Sequence, residues 1–317
     1  MKGHPNNREG TTSMKEVKEA EICLKEYLDG YQEKHKSIQQ QRVTCDRCKV
    51  SRSLYCATCL EILLPQPQWP DAVKDQELQL PFDLDIILND RRFSSTGIQL
   101  ATILEAAKSP NTIRIADLNL EDPFPTYEND DEQDGTYLLF PSPSSVPLSS
   151  ILSRTDDNSS SSPPSRKIKR LVVLDCKWCR SSVRLDKNLS HLPQVHLDDP
   201  PCQSYYWRWH NSGSGMLSTI EAVYFAAWQV GELQSQWSLD QRQRLLSLFW
   251  LFGIQREIIR RQYENGVFKK EIDGTVKQLP VPFTEDGKEY QRSLRRLHPN
   301  RGKKKKKRKE KSTSAVP

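Results

Sequence analysis

Arg170-Leu171-Val172-Val173-Leu174-Asp175-Cys176-Lys177-Trp178-Cys179-Arg180 is the stretch on which the fold turns. Four apolar residues bounded by charge read as a short buried strand, and the chain turns polar as soon as that strand ends. In open α/β sheets, ligands settle in the crevice outside the carboxyl ends of the strands. The strand therefore delivers an acid, a tryptophan and an arginine to the edge where chemistry is expected.

Working outward, further strands are predicted at residues 84–88, 112–115, 137–140 and 194–197, the last alternating only weakly. Ser94-Ser95-Thr96-Gly97 signals the start of a helix carrying Ile98, Leu100, Ala101, Ile103, Leu104 and Ala107. A second helix is predicted from near Ser218 and a longer one over about 238–264. Strands alternating with helices predict a mainly parallel sheet. Ahead of it, apolar positions from Val17 to Tyr31 recur at helical spacing within residues 14–38. The expected organisation is a disordered leader (1–13), an N-terminal helix (14–42), a cysteine module (43–62), an α/β domain (79–265) and a disordered tail (291–317). Residues 121–136 read as an acidic loop, and 154–169, rich in Ser and Pro, as a disordered insertion.

Charge is divided along the chain. The net +6 includes a tail, residues 291–317, with twelve Lys or Arg and one Glu, so the rest carries −5. A run such as Lys303–Lys309 suits nuclear localisation or salt-sensitive phosphate contact, and it specifies no base. The first residues lack an apolar signal region, and Leu245–Ile254 is too short to span a bilayer. The expectation is a soluble intracellular protein without membrane association.

Cys45-x2-Cys48-x7-Cys56-x2-Cys59 pairs two CxxC knuckles at a separation that closes a tetrahedral thiolate site around one zinc ion. The set has no histidine and no open position, so the zinc is read as structural. Four buried thiols without metal is the plainer alternative. Cys176 and Cys179 form another CxxC with no matching pair, which reads as coincidence.

The polar residues carry two readings each. Asp175 is a general base or orienting acceptor, or it caps amides of the following turn. Ser218 and Glu221 fit a capping box. Trp178 is a packed core residue or a platform for a base. Tyr205-Tyr206-Trp207-Arg208-Trp209-His210 is a strand with buried aromatics, or a surface on which unstacked bases lie.

Taken together, these motifs resemble the DTW-domain family over roughly residues 43–265. The paired cysteines resemble its zinc knuckles, Ser94-Ser95-Thr96-Gly97 the segment before its first helix, and Leu139-Phe140-Pro141 its strand end. Asp175 and Trp178 match the Asp-x-Thr-Trp signature, with Lys177 in place of the threonine and Cys179 after the tryptophan. Leu217-Ser218-Thr219-Ile220-Glu221-Ala222 matches Leu-Ser-Thr-x-Glu-Ala throughout. The resemblance implies a SPOUT-like parallel sheet with helices on both faces and a knotted cofactor loop. It implies transfer of the 3-amino-3-carboxypropyl group of S-adenosylmethionine to N3 of a tRNA uridine. Catalysis would fall to Asp175 and Trp178. The cofactor would lie against Phe140, Pro141, Ser142, Asp175, Leu217, Ser218, Thr219 and Glu221. RNA contacts would come from Arg180, Tyr206, Trp207 and Arg208. A SPOUT-like RNA methyltransferase and a catalytically decayed zinc-ribbon RNA-binding protein are the competing expectations.

Overall fold

A computed structural model describes residues 10–34, 41–118, 120, 125–127, 134–152, 167–176, 187–201, 204–207, 216–233, 237–272 and 275–297. The chain opens with helix α1 (Gly10–Lys34). Two small hairpins follow, β1 (Val43–Thr44) with β2 (Ser51–Arg52), and β3 (Tyr55–Cys56) with β4 (Glu61–Ile62). A short α2 (Asp71–Lys74) leads into β5 (Asp83–Asn89), α3 (Thr96–Ala106) and β6 (Ile113–Asp117). Then come β7 (Thr136–Leu139), β8 (Val146–Pro147), α4 (Leu148–Leu152), β9 (Arg170–Cys176), α5 (Lys187–Ser190) and β10 (Gln194–His196). The chain continues through α6 (Thr219–Leu233), α7 (Leu239–Arg244), α8 (Trp250–Glu264), the hairpin β11 (Lys269–Ile272) and β12 (Thr275–Gln278), and α9 (Glu285–Leu297).

Strands β5 to β10 form one six-stranded sheet in the order β6-β5-β9-β7-β10-β8, parallel throughout. β9 is central because its Leu171, Val172 and Val173 are apolar on both sides and fully buried. It pairs with β5 from Asp83↔Arg170 to Asn89↔Cys176, and with β7 from Thr136↔Arg170 to Leu139↔Val173. Parallel crossovers are right-handed. Connections that run leftward (α3, α4) and the one that runs rightward (α5) therefore cover opposite faces. On the α5 face, Ile87, Ala116, Tyr127, Leu138, Val172, Leu189 and Leu192 form one apolar cluster. On the other, α6 packs against α3, α4 and β9. α1 docks through buried Ala20, Leu24, Leu28 and Tyr31, with Tyr224 Oη donating to the Ala20 carbonyl at 3.1 Å. The expected α/β class, parallel sheet and cysteine module are all present.

Several boundaries differ from expectation. The first helix starts at Gly10, inside the expected leader, and ends at Lys34; residues 1–9 and 35–40 lie outside the described residues. The helix predicted over 238–264 is two α-helices joined by a 3₁₀ segment, Leu245–Phe249, whose tighter winding turns Leu245, Leu248 and Phe249 inward together. The expected insertion ends early. Ile168 is buried and Lys169 donates its amide to the Gly135 carbonyl, so these residues already lead into β9; residues 153–166 lie outside the described set. The acidic loop holds a core residue, Tyr127, which no local pattern marks. The expected tail begins in order, since α9 runs to Leu297; residues 298–317 lie outside.

The chain divides into two compact units, residues 1–204 with 211–257, and residues 205–210 with 258–317. The first holds the sheet and the cysteine module. The second holds the β11–β12 hairpin, α9 and an aromatic pair, Tyr263 and Phe268, with centroids 4.4 Å apart. Among the described residues no helix is long and apolar enough to cross a membrane.

Candidate active site

The register places Asp117 of β6, Leu88 of β5 and Asp175 of β9 on one row at the carboxyl edge of the sheet. Asp175 is buried there, and two helix N-termini converge on it. From α3, Ser95 Oγ donates to Asp175 Oδ2 at 2.6 Å and the Gly97 amide donates to the same oxygen at 2.8 Å. From α6, the Thr219 side chain adds a hydrogen bond. The helices are also tied to each other, since the Ile220 amide donates to Thr96 Oγ1 at 3.4 Å. A negative group at two helix N-termini sits in a favourable field. Yet no cation is among these partners, and burial prevails: desolvation raises the Asp175 carboxyl above its ordinary value, against the lowering effect of Ser95, Gly97 and Thr219. Gly97 makes the arrangement sterically possible, because a Cβ there would stand 2.6 Å from Asp175 Oδ2.

Ser95 serves twice, as it also accepts the Ile98 amide at 2.9 Å as the cap of α3. The second signature is built around Glu221, which is fully buried. Glu221 Oε2 accepts the Ser218 amide at 2.8 Å, the Ser218 hydroxyl at 2.5 Å and the Ser204 hydroxyl at 2.5 Å. The glutamate half of the expected capping box is therefore formed, while the serine hydroxyl turns to the carboxylate. Leu217 is half-buried beside it.

The polar loop after β7 lies on the same edge. Phe140 packs half-buried against the apolar cluster, Pro141 is exposed, and the Ser142 hydroxyl donates to Gln194 Oε1 at 2.5 Å. Sequence reading missed its neighbour, His196, at the end of β10. Ser145 Oγ donates to the Ser142 carbonyl at 2.8 Å and accepts the Ser142 amide at 3.1 Å. Its remaining contact, at 2.9 Å, is with His196 Nδ1. Local patterning carries no such signal, because it depends on two strands meeting. Two small surface clefts, about 260 and 270 Å³, contain none of these residues.

Trp178, Arg180 and Arg208 lie outside the described residues, as do the rest of 177–186 and 208–215. Tyr206 and Trp207 belong to the other unit, with ring centroids 4.6 Å apart. Trp207 is 4% exposed, so its ring is packed rather than offered to a base.

The four cysteines of the knuckles converge. Their Sγ atoms all lie within 4.8 Å of one another. Lys49 and Leu60, each directly after the second cysteine of its knuckle, both hold positive φ, 59° and 55°. Two non-glycine residues in the left-handed region are strained, and such strain persists where surroundings over-determine it. The repeated turn aims both thiol pairs at one point. Desolvation and the neighbouring thiols push the Cys59 thiol up to about 12; a bound divalent cation would invert that balance and hold thiolates. The donor set and its geometry fit a closed tetrahedral metal site.

A parallel sheet with a crowded polar edge beyond its central strand defines an α/β protein whose candidate site centres on Asp175. Among known families the DTW domain matches residues 42–255, and the chain belongs to the DTW-domain family. No curated protein and no solved structure matches it.

Proposed function

We propose that this chain is a tRNA-uridine aminocarboxypropyltransferase of the eukaryotic DTW domain-containing protein 1 branch, with structural zinc on Cys45, Cys48, Cys56 and Cys59. The observation that carries the reading is the meeting of both family signatures at one point, Asp175 with Ser95 and Gly97 from one side and Thr219 from the other. S-adenosylmethionine, when bound, supplies the 3-amino-3-carboxypropyl group to N3 of uridine, with methylthioadenosine as the leaving group. Phe140, Pro141, Ser142, Leu217, Ser218 and Thr219 are the residues assigned to hold it. Gln99, one turn into α3, supports a ligand on this side, because its buried Oε1 has no hydrogen-bond partner among the described residues.

The chain's own work is orientation and proton removal. Asp175 Oδ2 accepts from Ser95 and Gly97, and we assign Asp175 to positioning the two helix N-termini. Uridine N3 must lose its proton to become a nucleophile. His196 ends β10 at the same edge, and we assign that proton to its imidazole. Much of the rate then comes from holding N3 in line with the correct carbon. Trp178, Arg180 and Arg208 remain proposed contacts to the reacting base and the RNA, and the basic tail a nuclear address.

The test is mass spectrometry of nucleosides from unmodified tRNA incubated with protein and S-adenosylmethionine. The expected product is aminocarboxypropyl-uridine, lost in Asp175→Ala, and reduced in kcat with little change in KM in His196→Gln. A methylated nucleoside would instead identify a methyltransferase. No product with RNA still bound would identify a decayed, RNA-binding member.

A further inference from the structure

Of the aromatics that sequence patterning points to at 205–209, Tyr205 and Tyr206 are half-buried and Trp207 is buried, whereas a different ring stands open. Phe93 is 61% exposed, against 37% for Phe268. It stands in the 3₁₀ turn Arg92–Ser94 between β5 and α3, two residues before Ser95, the donor to Asp175. Its neighbours are cationic. Arg91 is exposed, and Arg92 is turned inward as a strut: its Nε donates to the Ala57 carbonyl of the cysteine module at 3.1 Å, and its Nη1 pairs with buried Asp117 at 3.3 Å.

That strut fixes the cysteine module against the carboxyl edge of the sheet. The module is a net basic segment of a body that is acidic overall. Residues 1–290 carry a net −5, whereas 41–62 hold Arg42, Arg47, Lys49 and Arg52 against Asp46 and Glu61. Arg42, Arg47 and Lys49 are all exposed. Lys49 is held out by its left-handed turn, and Arg47 bridges the knuckles through the Cys59 carbonyl at 3.2 Å.

We propose that this surface, Phe93 with Arg91 and the cations of the cysteine module, is where the RNA docks, with Phe93 as the stacking platform for an unstacked base beside the crevice. The partner is a polynucleotide with at least one splayed base. Cations without an aromatic fit any polyanion, whereas a solvent-facing ring set among them fits a base with its flanking phosphates. Arg92 makes the two parts one surface, so the metal module aligns the backbone while the loop presents the base. The inference rests on the proposed reaction for its substrate class, and on charge and exposure for its place.

The experiment uses the full zinc-loaded chain and an unmodified tRNA transcript, with binding, steady-state kinetics, zinc content and melting temperature read in parallel. Phe93→Ala is expected to weaken binding by roughly 5- to 100-fold, with Phe93→Trp restoring it. Arg42→Gln with Arg47→Gln and Lys49→Gln should weaken binding and flatten the salt dependence by roughly 0.7–0.9 for each phosphate left without its cation. Zinc content should stay at the wild-type value in all of them, since none of these side chains is a ligand, and the melting temperature should hold in Phe93→Ala; the triple variant also loses the Arg47 bond to the Cys59 carbonyl, so its binding is compared at equal folded fraction. Wild-type modification of tRNA with unchanged KM and salt slope in both variants would overturn the surface and leave the proposed reaction standing. Weakened binding in the variants, with no nucleoside modified by wild type, would support the surface and sink the reaction. A wild type that does not bind the transcript overturns the proposal outright.

Discussion

Two buried aspartates stand in neighbouring strands of the same sheet, and their surroundings are opposite in kind. Asp85, midway along β5 and fully buried, is neutralised. Arg114 grips it through Nε at 2.8 Å and Nη2 at 2.6 Å, Arg170 adds Nη1 at 2.8 Å, and the Tyr127 hydroxyl donates at 2.7 Å. Asp175, on the opposite face and three rows further along, has hydroxyls and an amide for partners. The first is a charge enclosed by charges of the other sign, the arrangement a buried ion needs in order to be tolerated. The second is a charge held by dipoles, which leaves its protonation sensitive to whatever arrives beside it. A carboxylate in the sheet's interior is built to stay fixed, and one at its carboxyl edge to respond.

That contrast can be broken by removing each acid. Asp85→Ala leaves two guanidinium groups and a buried hydroxyl facing an empty position, and should cost about 3–5 kcal/mol; urea unfolding or loss of soluble protein reads it. Asp175→Ala orphans Ser95, Gly97 and Thr219 and should cost about 1–3 kcal/mol, together with the loss of nucleoside product. An equal cost for both would erase the distinction.

Smaller changes sharpen it. Tyr127→Phe removes one of the donors to Asp85 while the arginines stay, so a loss of about 1 kcal/mol is expected from the urea midpoint. Burial also pushes the Tyr127 phenol well above its usual range, with Asp85 adding to the rise, so the hydroxyl stays a donor at every working pH. The smallest effect is a slope. Because the Asp175 carboxyl is raised in the folded chain, the unfolded chain loses this proton first as pH climbs from about 4. Over that window the folded state holds this proton more tightly, and the contribution of Asp175 to stability falls with rising pH. Asp175→Asn keeps an acceptor oxygen and does not titrate. Its stability relative to wild type should therefore rise with pH in urea midpoints taken from about pH 4 upward.

The comparison also marks what the sequence made legible. Strands of the central sheet announced themselves because buried strands are short apolar runs, and the Ser95 cap because it acts on an amide three residues away. Asp175, Ser218, Thr219 and Glu221 were legible as motif residues, yet the choice between base and cap was not, since it depends on Ser95 from 80 positions earlier. Asp85 passed as a strand residue because its partners come from β6, β9 and a loop. His196 and Phe93 were silent for related reasons. One acquires its role from a serine across two strands, and the other is informative only because nothing covers it. β8, two residues long, is too short for any periodicity.

The central place of β9 has a further consequence, in time rather than space. β5 ends at Asn89, and the strand that fills its inner edge begins at Arg170. At about 5–20 residues per second, a ribosome takes several seconds to deliver it. Until then β5 and β7 each hold an open apolar edge, the kind of edge that pairs with wrong partners. The strand that joins the two halves of the sheet also carries Asp175, so no shorter nascent chain has either a joined sheet or an assembled site. Quality control of this protein during synthesis is therefore a matter of one seven-residue segment arriving before its vacant edges find something else.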